Sequence, residues 1–238
     1  MRDTAASEQG NSAGFATTKP ACEPQAFLFD LDGTLLDTLP DLVVLVNHTL
    51  ANHNQPERST QEVLSYVGDG ARVLMQRAFP PGTPDETIDS AFREFKELYA
   101  QEGIVLTKAY PGVESALHAL RAANMKTGVL SNKYEGGVHD VVDRFFPGLL
   151  DASHGEREAD GIPRKPAPDG LLLLAEELGV DVCRCLYFGD SRGDMQAAVA
   201  AGMTPIGCTW GYQSSQQLLD GGATALVEAP TDFLHFLP

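Results

Sequence analysis

Asp30 and Asp32 stand two residues apart in the stretch "FLFDLDGTLLDT", directly after an apolar run and directly before Gly33-Thr34. On an extended chain that spacing points both carboxylates to one side, while Gly33 permits a tight turn that redirects the second. Such a pair suits two-step group transfer. One carboxylate can attack phosphorus and become an acyl phosphate, while the other protonates the departing oxygen and later deprotonates water. Taken alone, Asp-x-Asp-Gly-Thr reads equally well as a turn with surface acids.

Three further stretches carry reactive side chains. In "VLSNK", Ser131 closes a second apolar run and offers its hydroxyl to a phosphoryl oxygen, with the backbone N–H of Asn132 beside it. In "PRKPAPDG", Lys165 is held between Arg164 and Pro166 just before a helix, where an ammonium would neutralise charge developing on a transferring phosphoryl group. In "YFGDSRGDM", Asp190 is placed as a metal ligand, and Asp194 as a group behind it that orients Lys165 or a metal-bound water. Each also has an ordinary reading: a helix cap for Ser131, a solvated loop lysine for Lys165, a surface turn for the two acids.

The elements that must hold these groups follow from the hydrophobic pattern. Ala26 to Asp30 is too short an apolar run for a helix and reads as a buried strand, which puts the carboxylate pair at its carboxyl end. In open parallel α/β sheets that edge is where ligands bind. From about Thr38 to Ala109 the pattern is helical only. Leu39, Leu42, Val43, Val46 and Leu50 recur at helical spacing, Ser59 and Glu62 make a capping box, and Ile88, Phe92, Phe95 and Leu98 mark a long amphipathic helix. A second strand is expected at "KTGVLS", 126–131, after a helix that begins near Pro111. Beyond it, helices near 135–146, 168–178 and 192–201 alternate with the strand-like "LLDAS", "RCLYFGD" and "TPIGCT", before "TALVEA" and a last short helix. This order predicts an α/β fold, a doubly wound, Rossmann-like parallel sheet with a helical cap inserted after the first strand. The expected organisation is a flexible tail over 1–25, a core over 26–37 and 110–238, and a cap over 38–109.

The four motifs, in this order and spacing, resemble those of the haloacid dehalogenase superfamily of phosphatases: "DLDGTLLDT", "LSNK", "RKPAPDG", then "FGDSRGD". The resemblance covers residues 26 to 238. It implies Asp30 as nucleophile, Asp32 as acid/base, Ser131 and Lys165 as phosphoryl ligands, and Mg2+ held by Asp30, Asp190 and the backbone carbonyl of Asp32. It also implies a mobile cap that closes over the site. Within the superfamily, dehalogenases and phosphonatases lack a carboxylate at position 32, so a C–O–P ester is favoured. The cap stretch "YVGDGARVLMQRA" and the following "YPGV" are similar to phosphoglycolate phosphatases, which puts Gly68, Asp69, Gly70 and Arg72 at a substrate-facing loop. The implied activity is Mg2+-dependent hydrolysis of a small phosphate ester, 2-phosphoglycolate first among candidates. A phosphomutase of the β-phosphoglucomutase type and a pyrophosphatase are the alternatives.

Composition narrows the partners. A formal charge of -16, with no Lys/Arg cluster interleaved with aromatics, argues against nucleic acid. No apolar run reaches the roughly 18 residues that a membrane span needs. Local cations or a divalent metal must therefore overcome the global field if the ligand is an anion. Cys22, Cys183, Cys185 and Cys208 match neither a zinc site nor a disulfide framework, which reads as a reducing cytoplasm. Cys183 and Cys185 are expected as half-buried strand-edge thiols and not as a redox pair. No histidine pair has zinc-site spacing, and the expected assembly is a monomer or homodimer.

Overall fold

The computed structural model describes residue 20, residues 22–102 and residues 104–238. The tail expected over 1–25 thus lies largely outside the described residues. The first half of the chain runs β1 (Ala26–Phe29), β2 (Leu36–Asp37), α1 (Leu39–Asn52), α2 (Thr60–Tyr66), α3 (Ala71–Ala78), α4 (Asp85–Glu102), β3 (Lys108–Ala109) and α5 (Val113–Ala122). The second half runs β4 (Lys126–Tyr134), α6 (Glu135–Phe145), β5 (Ala152–Glu156), α7 (Asp169–Leu178), β6 (Cys185–Gly189), α8 (Arg192–Ala201), β7 (Thr204–Cys208), α9 (Ser215–Gly221) and β8 (Ala225–Val227). A 3-10 turn at Pro230–Phe236 ends it.

Six parallel strands form the central sheet in the order β5-β4-β1-β6-β7-β8. A strand buried on both faces needs a continuous apolar run, and β1 supplies one. Phe27 and Phe29 enter one apolar cluster with Val113, Leu117 and Phe233, whereas Ala26 and Leu28 enter another with Leu171 and Leu174 of α7 and Ala197 and Ala198 of α8. Helices therefore cover both faces, as a doubly wound sheet requires. On the first face the Phe29 ring stacks 5.3 Å from that of Phe188, which in turn meets Phe233 at 4.7 Å.

Strand register brings the motifs together. Phe29 pairs with Val129 on one side and with Phe188 on the other. Asp30 and Asp190, which directly follow β1 and β6, and Ser131 in the last half of the neighbouring β4 consequently gather at the same carboxyl edge, the ligand-binding edge of this class of sheet.

Four helices, α1 to α4, lie between β2 and β3 and bury Leu42, Leu45, Val46, Leu74, Met75 and Phe95. The expected capping box forms: Ser59 Oγ accepts from Glu62 N at 3.3 Å, and Ser59 N donates to Glu62 Oε2 at 2.8 Å. A purely helical reading of 38–109 misses β3, which pairs antiparallel with β2 through Leu36–Ala109 and Asp37–Lys108. A two-residue ribbon is too short to leave a periodic signal. Its return segment is fixed by Asp41, whose carboxylate accepts from the backbone N–H groups of Leu106 and Thr107 at 2.9 and 2.7 Å, from Val105 N at 3.3 Å and from Thr107 Oγ1 at 2.6 Å. Burial alone would raise the Asp41 pKa, but the hydrogen bonds from Thr107, Leu106 and Val105 outweigh it and hold the carboxyl below its ordinary value.

Candidate active site

At the carboxyl edge a cavity of about 650 Å3 opens between the sheet and the cap helices, lined among others by Asp30, Asp32, Ser131, Lys165, Asp190 and Asp194. The motifs scattered over the sequence thus meet in one place. The turn after β1 depends on Gly33, which has φ +87°, and a Cβ there would lie 2.3 Å from Asp190 Oδ2. Glycine alone allows both that backbone conformation and that approach.

Lys165 is the hub. Its Nζ donates to Asp194 Oδ1 at 2.6 Å, Asp30 Oδ1 at 2.7 Å, Tyr187 Oη at 2.9 Å and the Leu130 carbonyl at 3.0 Å. Burial disfavours this ammonium, yet the charges of Asp194 and Asp30 overcome that and keep it protonated well above the usual lysine range. Asp194 is fixed from its other oxygen, which accepts from Ser191 N at 2.9 Å and Ser191 Oγ at 2.6 Å and so caps α8. Asp194 thus stands behind Lys165, bonded to it through one oxygen and to Ser191 through the other.

One ammonium cannot balance the acids around it. Burial, then the charge of Asp194, push the Asp30 carboxyl up to about 7 against the pull of Lys165. Asp190 is 1% exposed and accepts from Thr34 Oγ1 at 3.1 Å and Tyr212 N at 2.7 Å, but has no cationic side chain bound to it among the described residues. Burial first, then Asp30 and Asp194, raise its pKa well above the ordinary value. Asp30, Asp190 and Asp194 offer oxygens within 4.8 Å of one another, an all-carboxylate set that fits a hard divalent cation such as Mg2+.

Asp32 has different surroundings. Its Oδ1 accepts from Thr38 Oγ1 at 2.6 Å and from Lys133 Nζ at 3.1 Å, and its Oδ2 from Ser131 Oγ at 3.3 Å. Lys133 was missed by sequence reasoning because the expected strand ends at Ser131, whereas β4 continues to Tyr134 and returns Lys133 to the same side as Ser131. Period two, carried past Ser131, was the signal. Lys133 also sits 4.8 Å from the ring centre of Tyr99 on α4, which links the cap helices to Asp32.

Asn132 does more than present its backbone. Its side chain exchanges two hydrogen bonds of 3.0 Å with the backbone of Lys165, and its Nδ2 also donates to the Gly68 carbonyl at 2.9 Å. The Gly68–Asp69–Gly70 loop between α2 and α3 lines the cavity, and Arg164 donates to the Asp69 carbonyl. Arg72 requires a correction. It does not line the cavity; its Nε donates to Asp89 at 2.7 Å and its Nη2 to Asp85 at 3.3 Å, because from the second position of α3 its side chain projects toward the acidic start of α4.

A six-stranded parallel sheet covered by helices on both faces, with a cavity at its carboxyl edge and a helical insert after β1, defines a doubly wound, Rossmann-like α/β protein. The family model described as "Haloacid dehalogenase-like hydrolase" matches residues 27–208, and the chain belongs to that family. Phosphoglycolate phosphatase of Pseudomonas putida KT2440 is 35% identical over 90% of this chain and 80% of its own length. N-acetylmuramic acid 6-phosphate phosphatase of Pseudomonas aeruginosa is 31% identical over 90% of this chain and 94% of its own length. Among solved structures, a predicted phosphoglycolate phosphatase from Haemophilus somnus superposes with a TM-score of 0.83 at 28% identity, covering 90% of this chain and 98% of that one. The chain is thus similar to phosphatases of the phosphoglycolate phosphatase type, as its motifs implied.

Proposed function

We propose that the chain hydrolyses a small phosphate monoester, 2-phosphoglycolate before others, through a phosphorylated Asp30 and with Mg2+ in the acidic pocket. By family and likeness it is a phosphoric monoester hydrolase. The observation that carries the mechanism is Lys165 Nζ seated between Asp30 and Asp194, 2.7 and 2.6 Å away. It fixes Oδ1 of Asp30 and leaves Oδ2 without a hydrogen bond among the described residues, free to attack phosphorus.

In the first half-reaction Asp30 forms an acyl phosphate as the ester P–O bond breaks, and Asp32 gives a proton to the leaving oxygen. In the second, Asp32 takes a proton from water, which attacks phosphorus and frees Asp30. Ser131 and Lys165 serve as donors to the phosphoryl oxygens, and Asn132 keeps the Lys165 loop in position. Bound Mg2+ would neutralise the phosphoryl charge and favour ionised Asp30. The helical insert acts as a cap whose Gly68–Gly70 loop, tied to Asn132, excludes water from the site.

A second substrate class, sugar phosphates, is favoured by one observation: the relative acting on N-acetylmuramic acid 6-phosphate aligns over 94% of its length. The cavity of about 650 Å3 also has room for a ligand larger than a two-carbon acid. We place the enzyme in the cytoplasm as a monomer or homodimer, in keeping with the lack of a membrane-crossing helix among the described residues.

The test is kcat/KM with Mg2+ for 2-phosphoglycolate, hexose phosphates, N-acetylmuramic acid 6-phosphate and pyrophosphate, with acid-quench mass spectrometry of the enzyme. Phosphate release with a label on Asp30 is expected, and Asp30→Asn should lower turnover by about 10^4-fold or more for every substrate. A phosphorylated residue elsewhere would refute the mechanism. A rearranged sugar phosphate in place of free phosphate would indicate a mutase.

A further inference from the structure

Cys22 and Cys183 are far apart in sequence and adjacent in space, with sulfur atoms 2.6 Å apart. Cys22 lies just upstream of β1, and Cys183 lies in the 3-10 turn Val182–Arg184 that feeds β6. Those two strands are neighbours in register, Ala26 beside Cys185, and Gln25 N donates to the Arg184 carbonyl at 2.9 Å between them. The thiols therefore rest on backbone that is already joined. Cys183 is exposed and Cys22 half-buried, while Cys185 and Cys208 are buried. Burial pushes Cys185 up to about 12, which keeps it a thiol, and its Sγ is turned to the Asp181 carbonyl at 3.5 Å. The thiol neighbours in sequence, Cys183 and Cys185, are thus not the pair that the fold assembles.

We propose that Cys22 and Cys183 form a redox staple, closed by a low-molecular-weight disulfide such as oxidised glutathione. The Cys183 thiolate attacks one sulfur of the oxidant and expels one glutathione thiolate. The Cys22 thiolate then attacks Cys183 Sγ in the mixed disulfide and expels the second. Two protein thiols are oxidised, one disulfide is reduced to two thiols, and the two protein protons end on glutathione. The hydrogen bond with Cys22 raises the Cys183 thiol above its ordinary value, so the pair resembles a structural clasp more than an activated catalytic thiolate.

The staple joins the amino ends of the two strands whose carboxyl ends carry Asp30 and Asp190. With strands of four and five residues, roughly 15 Å separates it from the cavity. It closes a loop across 161 positions, which contains the whole cap. A link over so long a loop restricts the unfolded chain strongly, so it should change stability and leave catalysis alone.

The experiment uses the full chain, oxidised with glutathione disulfide, alkylated, and digested without reduction for peptide mass spectrometry. A Cys22–Cys183 linked peptide is expected, with a Tm about 5–10 °C higher than in the reduced protein and reversal by dithiothreitol. Cys183→Ser and Cys22→Ser should each abolish the shift, and kcat for any phosphate ester the enzyme hydrolyses should change less than twofold on oxidation. Two glutathione adducts with no internal link, a Cys183–Cys185 link, or a Cys22–Cys183 link with unchanged Tm would each overturn the proposal.

Discussion

Lys133 Nζ lies 3.1 Å from Asp32 Oδ1, as Lys165 Nζ lies 2.7 Å from Asp30 Oδ1, so each carboxylate of the motif pair has its own buried lysine. The two pairs differ in what stands behind the ammonium. Lys165 is shared with Asp194, whereas Lys133 is shared with the face of Tyr99 from a cap helix. In a chain of net charge -16, these two lysines offset only part of the charge that Asp30, Asp32, Asp190 and Asp194 bring to the cavity.

If Lys133 positions Asp32 as a proton donor, Lys133→Met should slow esters with poor leaving groups most. We expect kcat for an alkyl phosphate to fall about 10^2-fold, and kcat for p-nitrophenyl phosphate, whose leaving group needs little protonation, to fall less than tenfold. Equal losses for both substrates would mean that Lys133 does not act through Asp32.

The three crowded carboxylates predict metal-linked stability. Mg2+ at 100 times its Kd should stabilise the protein by about 2.7 kcal/mol, and a chelator should reverse the rise in Tm. Asp190→Asn removes one of the three clustered carboxylates, and calorimetry of that variant should show the Mg2+-dependent shift lost. A full shift in the variant would move the metal elsewhere.

Asp41 predicts how the β2–β3 ribbon responds to acid. Because the Asp41 pKa is lowered on folding, its stabilisation is fully present above the unfolded value of about 4 and disappears as pH falls through the lower folded value. Asp41→Asn should therefore lower stability by about 1–3 kcal/mol at pH 7. The gap between variant and wild type should stay constant down to about pH 5 and narrow below about pH 4, as measured by denaturant titration.

Arg72 and Asn132 separate sequence expectation from geometry. Arg72→Ala breaks two exposed ion pairs outside the cavity, with Asp85 and Asp89, so kcat/KM should stay within about twofold. Asn132→Ala removes three hydrogen bonds that tie the Lys165 loop and the cap loop together, and kcat/KM should fall by about 10- to 100-fold. Steady-state kinetics on the two variants would decide.

Much of the fold was legible because its signals are local. The apolar run of β1, the Ser59 capping box and the alternation after Ser131 each depend on neighbours in sequence, and each maps to an element of the sheet or the cap. Boundaries were less legible: "LLDAS" led to a strand that in fact occupies Ala152–Glu156, and β4 runs on to Tyr134. In both places polar residues sit within the strand, and their side-chain chemistry hides the backbone pattern.

The sequence by itself determined which residues could do chemistry, Asp30, Asp32, Ser131, Lys165 and Asp190, since type and local context select them. Tertiary structure decided who meets whom. Parallel register brought Lys133 to Asp32 and Cys22 to Cys183, the loop before α7 set Lys165 between Asp30 and Asp194, and the packing of α3 beside α4 turned Arg72 to Asp85 and Asp89. The physical reason is range: propensity and periodicity act over a few residues, whereas electrostatic balance and hydrogen-bond partnership depend on distances that exist only once the strands have paired.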